Sequence, residues 1–306
     1  MKSITSKKAA RALPQLRADL NKYTRGVCEL VVGSDRFVGA AVLATSAANR
    51  MGAGYVKAYT CDKAADVLRI VQPSVVVLPQ GTYGDDVHVS SDHHPRATVI
   101  GCGMEGTDAE ISQVIEVLDA TEGPVLVDGG GLAALCTTES TPVLRKRFTE
   151  GHPTVITPHG GEAVRLLRSM GESSDDPGTG IGRMTPQHVA LTLARGLGAV
   201  CVLKAPDTFI ASGDEESETD VLAMLQGTPA LAKAGTGDVL AGAIGALLAQ
   251  GVDPVDACSA GTYLHARAGM LASVEKGEFC VTAEDVLEQL PYAVAMLLRK
   301  VRKEGS

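Results

Sequence analysis

The chain has 306 residues, 28 basic against 36 acidic side chains, a formal net charge of −8 and no tryptophan. That length can bury a large core, as one large domain or two ordinary ones. The mildly acidic balance and the lack of a basic block argue against nucleic acid or an anionic membrane as a partner. Aromatic residues make up only 3% of the chain, which argues against a platform for stacking bases.

The seven cysteines are odd in number, widely scattered and never spaced as Cys-x-x-Cys. We interpret them as small buried hydrophobes in a reducing compartment, not as disulfides or a zinc site. The first residues lack the apolar core of a signal peptide, and no apolar run is long enough to cross a bilayer. The sequence therefore predicts a soluble, cytoplasmic protein.

In chain order, short apolar strands alternate with helices. Residues 1–25 are polar and basic and predict a leading arm with a short helix. The predicted strands are 28–33, 55–60, 74–78, 98–100, 124–127, 154–156, 199–203 and 208–211. The predicted helices are 39–52, 62–70, 107–120, a segment ending near 170, one opening at 185–186, 239–249, one opening at 253–254, and further C-terminal helices. The expected loops are a histidine-bearing one at 81–95, a flexible one at 173–182 and an acidic turn at 213–219.

Unbroken apolar strands that alternate with helices predict an α/β fold with a mostly parallel sheet and helices on both faces. Neither a linker nor an internal repeat divides the chain, so we expect residues 1–306 to form one domain. In such sheets ligands bind outside the carboxyl ends of the strands. Five polar or glycine-rich clusters follow predicted strands, at 33–34, 101–103, 128–131, 157–162 and 204–208. They predict one cleft at that edge.

The stretch 227–251 organises the rest of the chain. Gly235-Thr236-Gly237-Asp238 precedes an uncharged helix that should be buried almost all round, with Gly251 just past its end. Glycines let the backbone approach a ligand, and the first-turn N–H groups form a site for phosphate. A carboxylate would repel a bound phosphate, so we interpret Asp238 as a base. The alternative is that Asp238 only caps the helix.

Several further motifs occur in a fixed order: GSDRFVGAAVLATSAANRMGAGYV, GCGMEG, TPHGGEAVRLL, VLKAPDTFIA and AGTGDVLAGAIGALLAQG. Together they resemble the ADP- or ATP-dependent NAD(P)H-hydrate dehydratases of the ribokinase-like superfamily. The resemblance covers roughly residues 20–290. It implies a ribokinase-like fold and a stand-alone dehydratase domain, without the epimerase domain that some members carry.

The resemblance also implies a reaction, the repair of hydrated NADH or NADPH at the expense of ADP or ATP. Phosphorylating the ring hydroxyl makes it a good leaving group, which the ring nitrogen lone pair can expel. Such an enzyme needs a base, an anion hole and two nucleotide pockets. Asp238 would be the base and the N–H groups of Gly235, Thr236 and Gly237 the hole. Magnesium normally accompanies the nucleotide, and the family forms homo-oligomers, commonly tetramers or higher.

Two sets of binding residues follow from the resemblance alone. The residues along ADP or ATP would be Lys204, Ala205, Pro206, Asp207, Thr208 and Gly237. The residues that contact the hydrated dinucleotide would be Ala40, Gly103, His159 and Asp238.

Each of these residues also has a simpler interpretation. Lys204 could be a surface lysine, but its place beside a glycine-rich anion hole favours phosphate. His159 could be a loop histidine, although its position at a strand end favours the site. Glu162 either caps the following helix or orients magnesium-bound water, and both remain open. Asp128 could be a turn former. His93, His94 and His152 lie in polar loops without ligand spacing.

Three segments depart from the family pattern. Gly129-Gly130-Gly131 replaces Ala-Asp-Ala, Pro206-Asp207 replaces small residues after a Lys-Gly pair, and Met270 ends a segment where the family has LHGxAGD. Two other classes therefore stay open. One is a ribokinase-like kinase for a vitamin or sugar, since such kinases share the GxGD start, and the other is a degenerate nucleotide-binding protein without activity. The preference between ADP and ATP is not predicted.

Overall fold

The computed structural model describes residues 1–85, 88–91, 93–172, 181–214, 220–225 and 227–304. In these residues ten strands form a single sheet. The strands are β1 Lys2–Ser3, β2 Val27–Val31, β3 Tyr55–Thr60, β4 Val76–Pro79, β5 Arg96–Ile100, β6 Val125–Val127, β7 Thr154–Ile156, β8 Val200–Leu203, β9 Thr208–Ser212 and β10 Leu222–Met224.

The helices of the described residues cover both faces of this sheet. They are α1 Ser6–Arg11, α2 Val38–Arg50, α3 Asp62–Val71, α4 Asp108–Ala120, α5 Ser140–Glu150, α6 Gly160–Ser169, α7 Pro186–Leu197, α8 Thr236–Ala249, α9 Pro254–Lys276 and α10 Ala283–Glu304. Short 3-10 turns occupy Gln80–Asp85, Gly129–Cys136, Ile181–Arg183 and Pro229–Leu231. The predicted α/β architecture, with a mostly parallel sheet between helices, is confirmed.

The strand order is β1-β10-β9-β8-β7-β6-β5-β2-β3-β4. All neighbouring pairs are parallel except the two that involve β9, which runs antiparallel to β8 and to β10. Only four residues, 204–207, join β8 to β9, which is too short for a parallel crossover and forces the chain to turn back. From β2 the chain adds β3 and β4 on one side of the sheet, and from β5 it adds β6 and β7 on the other. At such a switch in strand order, between the parallel strands β2 and β5, a crevice is expected outside the carboxyl ends.

The helix α8 lies at the centre of one face. Every residue from 239 to 249 is buried, as the all-round apolar pattern predicts. Small residues allow this burial, because a Cβ added at Gly242 would lie 2.1 Å from the carbonyl oxygen of Ala44 in α2. The backbones of α8 and α2 therefore touch, and this contact fixes the two helices relative to each other.

The arm at 1–25 is more integrated than its polar sequence predicts. Ala9 of α1 is fully buried, and β1 extends the sheet by pairing with β10. The prediction also missed α5, β10 and β1. Strands β1 and β10 have only two and three residues, and a segment of that length shows no periodicity.

Three other predictions concern the cysteines, the loops and membrane spans. All seven cysteines carry free thiols, and four of them, Cys28, Cys102, Cys201 and Cys258, are buried as predicted. Cys61 and Cys136 are only partly buried and Cys280 is exposed, so the prediction of buried cysteines is wrong at these three. Residues 173–180 of the predicted flexible loop and 215–219 of the acidic turn lie outside the described residues. Within the described ranges, no helix combines the length and the apolar character that crossing a membrane requires.

Candidate active site

The carboxyl ends of β6, β7 and β8 are tied together by one buried carboxylate. Asp128 directly follows β6 and is only 3% exposed. Its Oδ1 accepts a hydrogen bond of 2.6 Å from the hydroxyl of Thr157, which follows β7. The same oxygen lies 2.6 Å from the ammonium of Lys204, which follows β8. Because these strands are neighbours, their ends form one polar cluster under the start of α8.

Lys204 is not the surface lysine that one interpretation allowed. Its side chain is 21% exposed and paired with Asp128. Burial alone would lower the pKa of Lys204, but the carboxylates of Asp128 and Glu162 outweigh burial, so this pKa lies above its ordinary value. The ammonium therefore stays charged, and it can still donate to a ligand because an ammonium carries three N–H groups.

The start of α8 has the geometry of an anion hole. Gly235 precedes the helix with φ of 90°, a conformation that glycine adopts without strain. Thr236 Oγ1 lies 2.8 Å from the carbonyl oxygens of Leu231 and Lys233, which holds the preceding turn in place. A Cβ added at Gly237 would lie 3.4 Å from Lys204 Nζ. The lysine ammonium and the first-turn N–H groups therefore face the same small volume.

Asp238 does not cap α8. Gly235 occupies the N-cap position and no side chain caps the helix. Ligating atoms of Asp238, Asp128 and Cys102 instead lie within 4.8 Å of one another. Burial, followed by the nearby Asp128 carboxylate, raises the pKa of Asp238 from 3.8 to about 6, against opposing contributions from Lys204 and Cys102. Asp238 can therefore accept a proton near neutral pH, as a general base must.

Cys102 packs between the two carboxylates. Its Sγ lies 3.7 Å from Asp128 Oδ2, and its thiol also reaches Asp238. Burial and the two carboxylates raise the pKa of Cys102 far above its ordinary value. The residue is therefore a neutral thiol that can donate a weak hydrogen bond, and it is not a nucleophile.

His159 and Glu162 form the N-terminus of α6. The His159 N–H donates to Glu162 Oε2 at 2.7 Å, and the Gly161 N–H donates to His159 Nδ1 at 3.0 Å. This is a capping box, so the capping interpretation of Glu162 describes the observed geometry. An isolated bridge pairs His159 with Lys204. His159 therefore lies beside the polar cluster, and its ring is more than half exposed.

Ala40 and Gly103 meet at the crevice between β2 and β5. A Cβ added at Gly103 would lie 2.7 Å from the Ala40 Cβ and 3.0 Å from the Phe37 carbonyl oxygen. The N–H of Gly33 donates to the Cys102 carbonyl at 2.7 Å. The two residues thus lie next to each other, and Cys102 joins them to the carboxylate cluster.

The remaining predicted nucleotide residues follow Lys204 in the turn between β8 and β9. Ala205, Pro206 and Asp207 form this turn, and Thr208 begins β9. A Cβ added at Gly227 would lie 2.8 Å from the Pro206 carbonyl oxygen. The turn therefore leads from the cluster to the segment that precedes α8.

A buried histidine lies behind the anion hole. His265 of α9 is 7% exposed, and its ring contacts the Thr236 backbone. Burial lowers the pKa of His265 to about 4, so the ring is neutral at pH 7. Its Nε2 has no hydrogen-bond partner among the residues that the structure describes.

The three-glycine departure has a steric reason. A Cβ added at Gly130 would lie 2.0 Å from the Met104 carbonyl oxygen, and one at Gly131 would lie 2.9 Å from the Gly101 Cα. The turn after β6 packs backbone to backbone against the loop after β5. An aspartate at position 130 would require that loop to move, so this strand end carries Asp128 without the second acid of the family pattern.

The strand-end clusters at 101–103, 128–131 and 157–162 put Cys102, Asp128 and Thr157 in the predicted cleft, but the sequence assigns none of them a role in the site. As a single residue, Asp128 has only the interpretation of a turn former. The position of Asp128 directly after a buried strand was a usable signal. No local pattern distinguishes Thr157 or Cys102, because their roles depend on the order of strands in the sheet.

Comparison with known proteins places this site in a family. A sequence model described as NAD(P)H-hydrate dehydratase matches residues 28–292. The ADP-dependent (S)-NAD(P)H-hydrate dehydratase of Xanthomonas campestris pv. campestris is 30% identical over 291 residues, which are 92% of this chain and 93% of that protein. The bifunctional NAD(P)H-hydrate repair enzyme of Thermofilum pendens is 32% identical over 297 residues.

A solved structure is similar over nearly the full length. The ADP/ATP-dependent NAD(P)H-hydrate dehydratase of Bacillus subtilis, co-crystallized with ATP and Mg²⁺, superposes with a TM-score of 0.79 at 27% identity, covering 97% of this chain and 98% of that one. The chain belongs to the NAD(P)H-hydrate dehydratase family. It spans about half the length, 53%, of the bifunctional relative.

Proposed function

We propose that this chain restores hydrated NADH and NADPH by phosphorylating the ring hydroxyl with ADP or ATP and eliminating phosphate. The observation that carries the proposal is Asp238, a carboxylate with a pKa near 6 beside a helix N-terminus and the Lys204 ammonium. A base next to an anion hole suits the transfer of a phosphoryl group to a hydroxyl. The family membership supplies the substrate class.

In the first step Asp238 takes the proton of the ring hydroxyl. The hydroxyl oxygen bonds to the terminal phosphorus of the nucleotide, and the bond from that phosphorus to the bridging oxygen breaks. The first-turn N–H groups of Gly235, Thr236 and Gly237, with Lys204, stabilise the charge on the moving group. The ring nitrogen lone pair then expels phosphate, and the neighbouring ring carbon loses a proton to solvent, which restores the double bond.

The remaining site residues are assigned from the resemblance to the dehydratases. Lys204 and the turn Ala205, Pro206, Asp207 and Thr208 would follow the nucleotide with Gly237, and Ala40, Gly103, His159 and Asp238 would contact the hydrated dinucleotide. Glu162 would hold magnesium through water, while one of its carboxylate oxygens accepts from the His159 N–H. When bound, the ion would neutralise charge on the phosphates.

The kinase alternative shares the first step and differs in the second. A kinase would release the phosphorylated compound, whereas a dehydratase releases inorganic phosphate and a reduced nicotinamide. The test is to mix the purified chain with hydrated NADH and either ADP or ATP and record nicotinamide absorbance and phosphate. The proposal predicts that reduced nicotinamide and inorganic phosphate increase by equal molar amounts. A nucleotide-dependent phosphorylated product with no gain in absorbance would favour a kinase, and no reaction would favour a non-catalytic homologue.

We also infer that the chain works in the cytoplasm as a single domain and as a homo-oligomer, a tetramer or higher. The free cysteines support a reducing compartment, and the resemblance to the dehydratases supports the oligomer. Cell fractionation tests the location, and light scattering of the purified chain tests the oligomer. A monomer at micromolar concentration would contradict the oligomer.

A further inference from the structure

Asp128 is the most buried charged group of the site, and its side chain does not have the role that its position suggests. It occupies the N-cap position of the 3-10 turn Gly129–Cys136 but makes no side-chain capping bond there. Its Oδ1 instead receives both the Thr157 hydroxyl and the Lys204 ammonium. Burying a carboxylate is unfavourable unless it is paired, and this pairing is directed into the site.

The pair fixes where the lysine charge lies. A Cβ added at Gly237 would lie 3.4 Å from Lys204 Nζ and 3.9 Å from Asp128 Oδ2. Both charges therefore lie directly against the first turn of α8. A lysine side chain has four rotatable bonds and would otherwise sample many positions, so the hydrogen bond to Asp128 sets the position of its ammonium.

The same carboxylate acts on Asp238 through space. Ligating atoms of Asp128, Asp238 and Cys102 lie within 4.8 Å of one another. The groups that face Asp238 are the neutral thiol of Cys102 from the loop after β5, Asp128 directly after β6 and Lys204 directly after β8. Behind Thr236 lies the neutral ring of His265 from α9. Asp128 is thus the negative charge among them, and it raises the pKa of Asp238 while Lys204 lowers it.

We infer that Asp128 is a positioning residue of the reaction, which holds the Lys204 ammonium over the first turn of α8 and makes Asp238 a better proton acceptor. This inference rests on the proposed function, because it assigns a role within that reaction. Asp128 touches neither the substrate nor the phosphoryl group in this account. It acts through Lys204 and Asp238, and its effect should therefore appear in the pH dependence of the rate.

The test compares pH profiles of kcat/KM for hydrated NADH with ADP or ATP. The wild type should lose activity as the pH falls through about 6, where Asp238 takes up its proton. Asp128→Asn keeps the shape and an acceptor oxygen but removes the charge. The acid limb of its profile, the part where activity falls at low pH, should move to lower pH by about one pH unit or more. The rate at higher pH, where activity no longer changes with pH, should also be lower. A purely structural role would lower the rate at every pH without moving the limb.

Asp253→Asn is a matched control. Asp253 caps α9 by accepting from the N–H groups of Val255 and Asp256 at 3.0 and 3.2 Å. Asparagine caps a helix equally well, so the variant removes one charge at the amino edge of the sheet, away from the site. Its profile should overlay that of the wild type.

A double-variant comparison keeps the inference testable if Asp128→Asn does not fold. Lys204→Met and the combined Asp128→Asn/Lys204→Met variant differ only in the Asp128 charge, and the second buries no unpaired carboxylate. The acid limb of the combined variant should lie at lower pH than that of Lys204→Met. An unmoved limb in both comparisons, with normal wild-type turnover, would overturn the inference alone. No turnover by the wild type would overturn the proposed function and this inference with it.

Discussion

The raised pKa that the proposed reaction uses at Asp238 lowers the stability of the folded chain. Moving the pKa of this carboxyl from 3.8 to about 6 on folding corresponds to about 3 kcal/mol of lost stability. The sign follows from linkage: between these pH values the folded chain binds more protons than the unfolded chain, so stability falls as the pH rises. Above pH 6 the whole penalty is present, and below pH 3.8 it is absent.

Asp238→Asn should therefore stabilise the fold at pH 7 to 8, because asparagine cannot ionise. The gain should reach about 3 kcal/mol at most and should vanish as the pH is lowered from 6 to 4. Urea denaturation of both proteins across this range measures the difference. A gain that is equal at pH 4 and pH 8 would mean that burial of the charge is not its cause.

Lys204 was predicted to bind phosphate, and the structure adds that it also neutralises Asp128. Lys204→Met should weaken binding of ADP or ATP by about tenfold or more, since charge-assisted hydrogen bonds contribute about 1.5–3 kcal/mol each. Calorimetric titration of the nucleotide measures the effect. Unchanged affinity would confine the lysine to the pair with Asp128.

At the scale of elements, the two glycines that start α8 have different tasks. Gly235 has φ of 90°, and a Cβ added there would lie 2.7 Å from Leu43 Cδ1. Gly237 has an ordinary helical backbone, and its added Cβ would make a normal contact of 3.4 Å with Lys204 Nζ. The conformational strain that a GxGD motif suggests therefore belongs to Gly235, whereas the missing side chain of Gly237 leaves open the space that phosphate would occupy in the proposed reaction.

A pair of variants separates these tasks. Gly237→Val should fold, with a stability change within about 1 kcal/mol, and should lose at least about a hundredfold in turnover because its side chain fills the anion hole. Gly235→Val should mainly lose stability. Thermal unfolding and turnover are measured on both. Normal turnover by folded Gly237→Val would show that the anion hole lies elsewhere.

Arg147 of α5 connects elements at the amino ends of β6 and β7, opposite the candidate site. It is 2% exposed, and its guanidinium donates to the carbonyls of Leu118, Gly123 and Pro153 at 2.8 to 3.0 Å and also to Thr121. These carbonyls belong to α4 and to the segments that enter β6 and β7. One side chain therefore fixes how the strands that carry Asp128 and Thr157 begin.

Arg147→Met should destabilise the protein by about 3 kcal/mol or more, since several buried carbonyls lose their donor. Arg145→Met, in the same helix but exposed, is the control and should change stability by less than about 0.5 kcal/mol. Denaturant titration of both variants provides the comparison. Equal, small changes would mean that water replaces the guanidinium.

For the whole molecule, features with a local cause could be predicted. The apolar period of α8, its two flanking glycines, the position of Asp238 at a helix start and that of Lys204 at a strand end are properties of short segments, and the sequence indicated each of them. The pair between Lys204 and Asp128 could not be predicted, because it requires β6 and β8 to flank β7 in the sheet. The steric need for Gly130 likewise depends on the loop after β5.

The proposed reaction depends most directly on Asp238 as the base. The decisive measurement is turnover of hydrated NADH by Asp238→Asn, with nucleotide affinity determined on the same folded sample. A general base contributes about a hundred- to ten-thousandfold in rate. We predict a loss of that order, with nucleotide affinity retained or raised because a negative charge beside the phosphates is gone. Turnover within a few-fold of the wild type would contradict the assignment of Asp238 and the mechanism built on it.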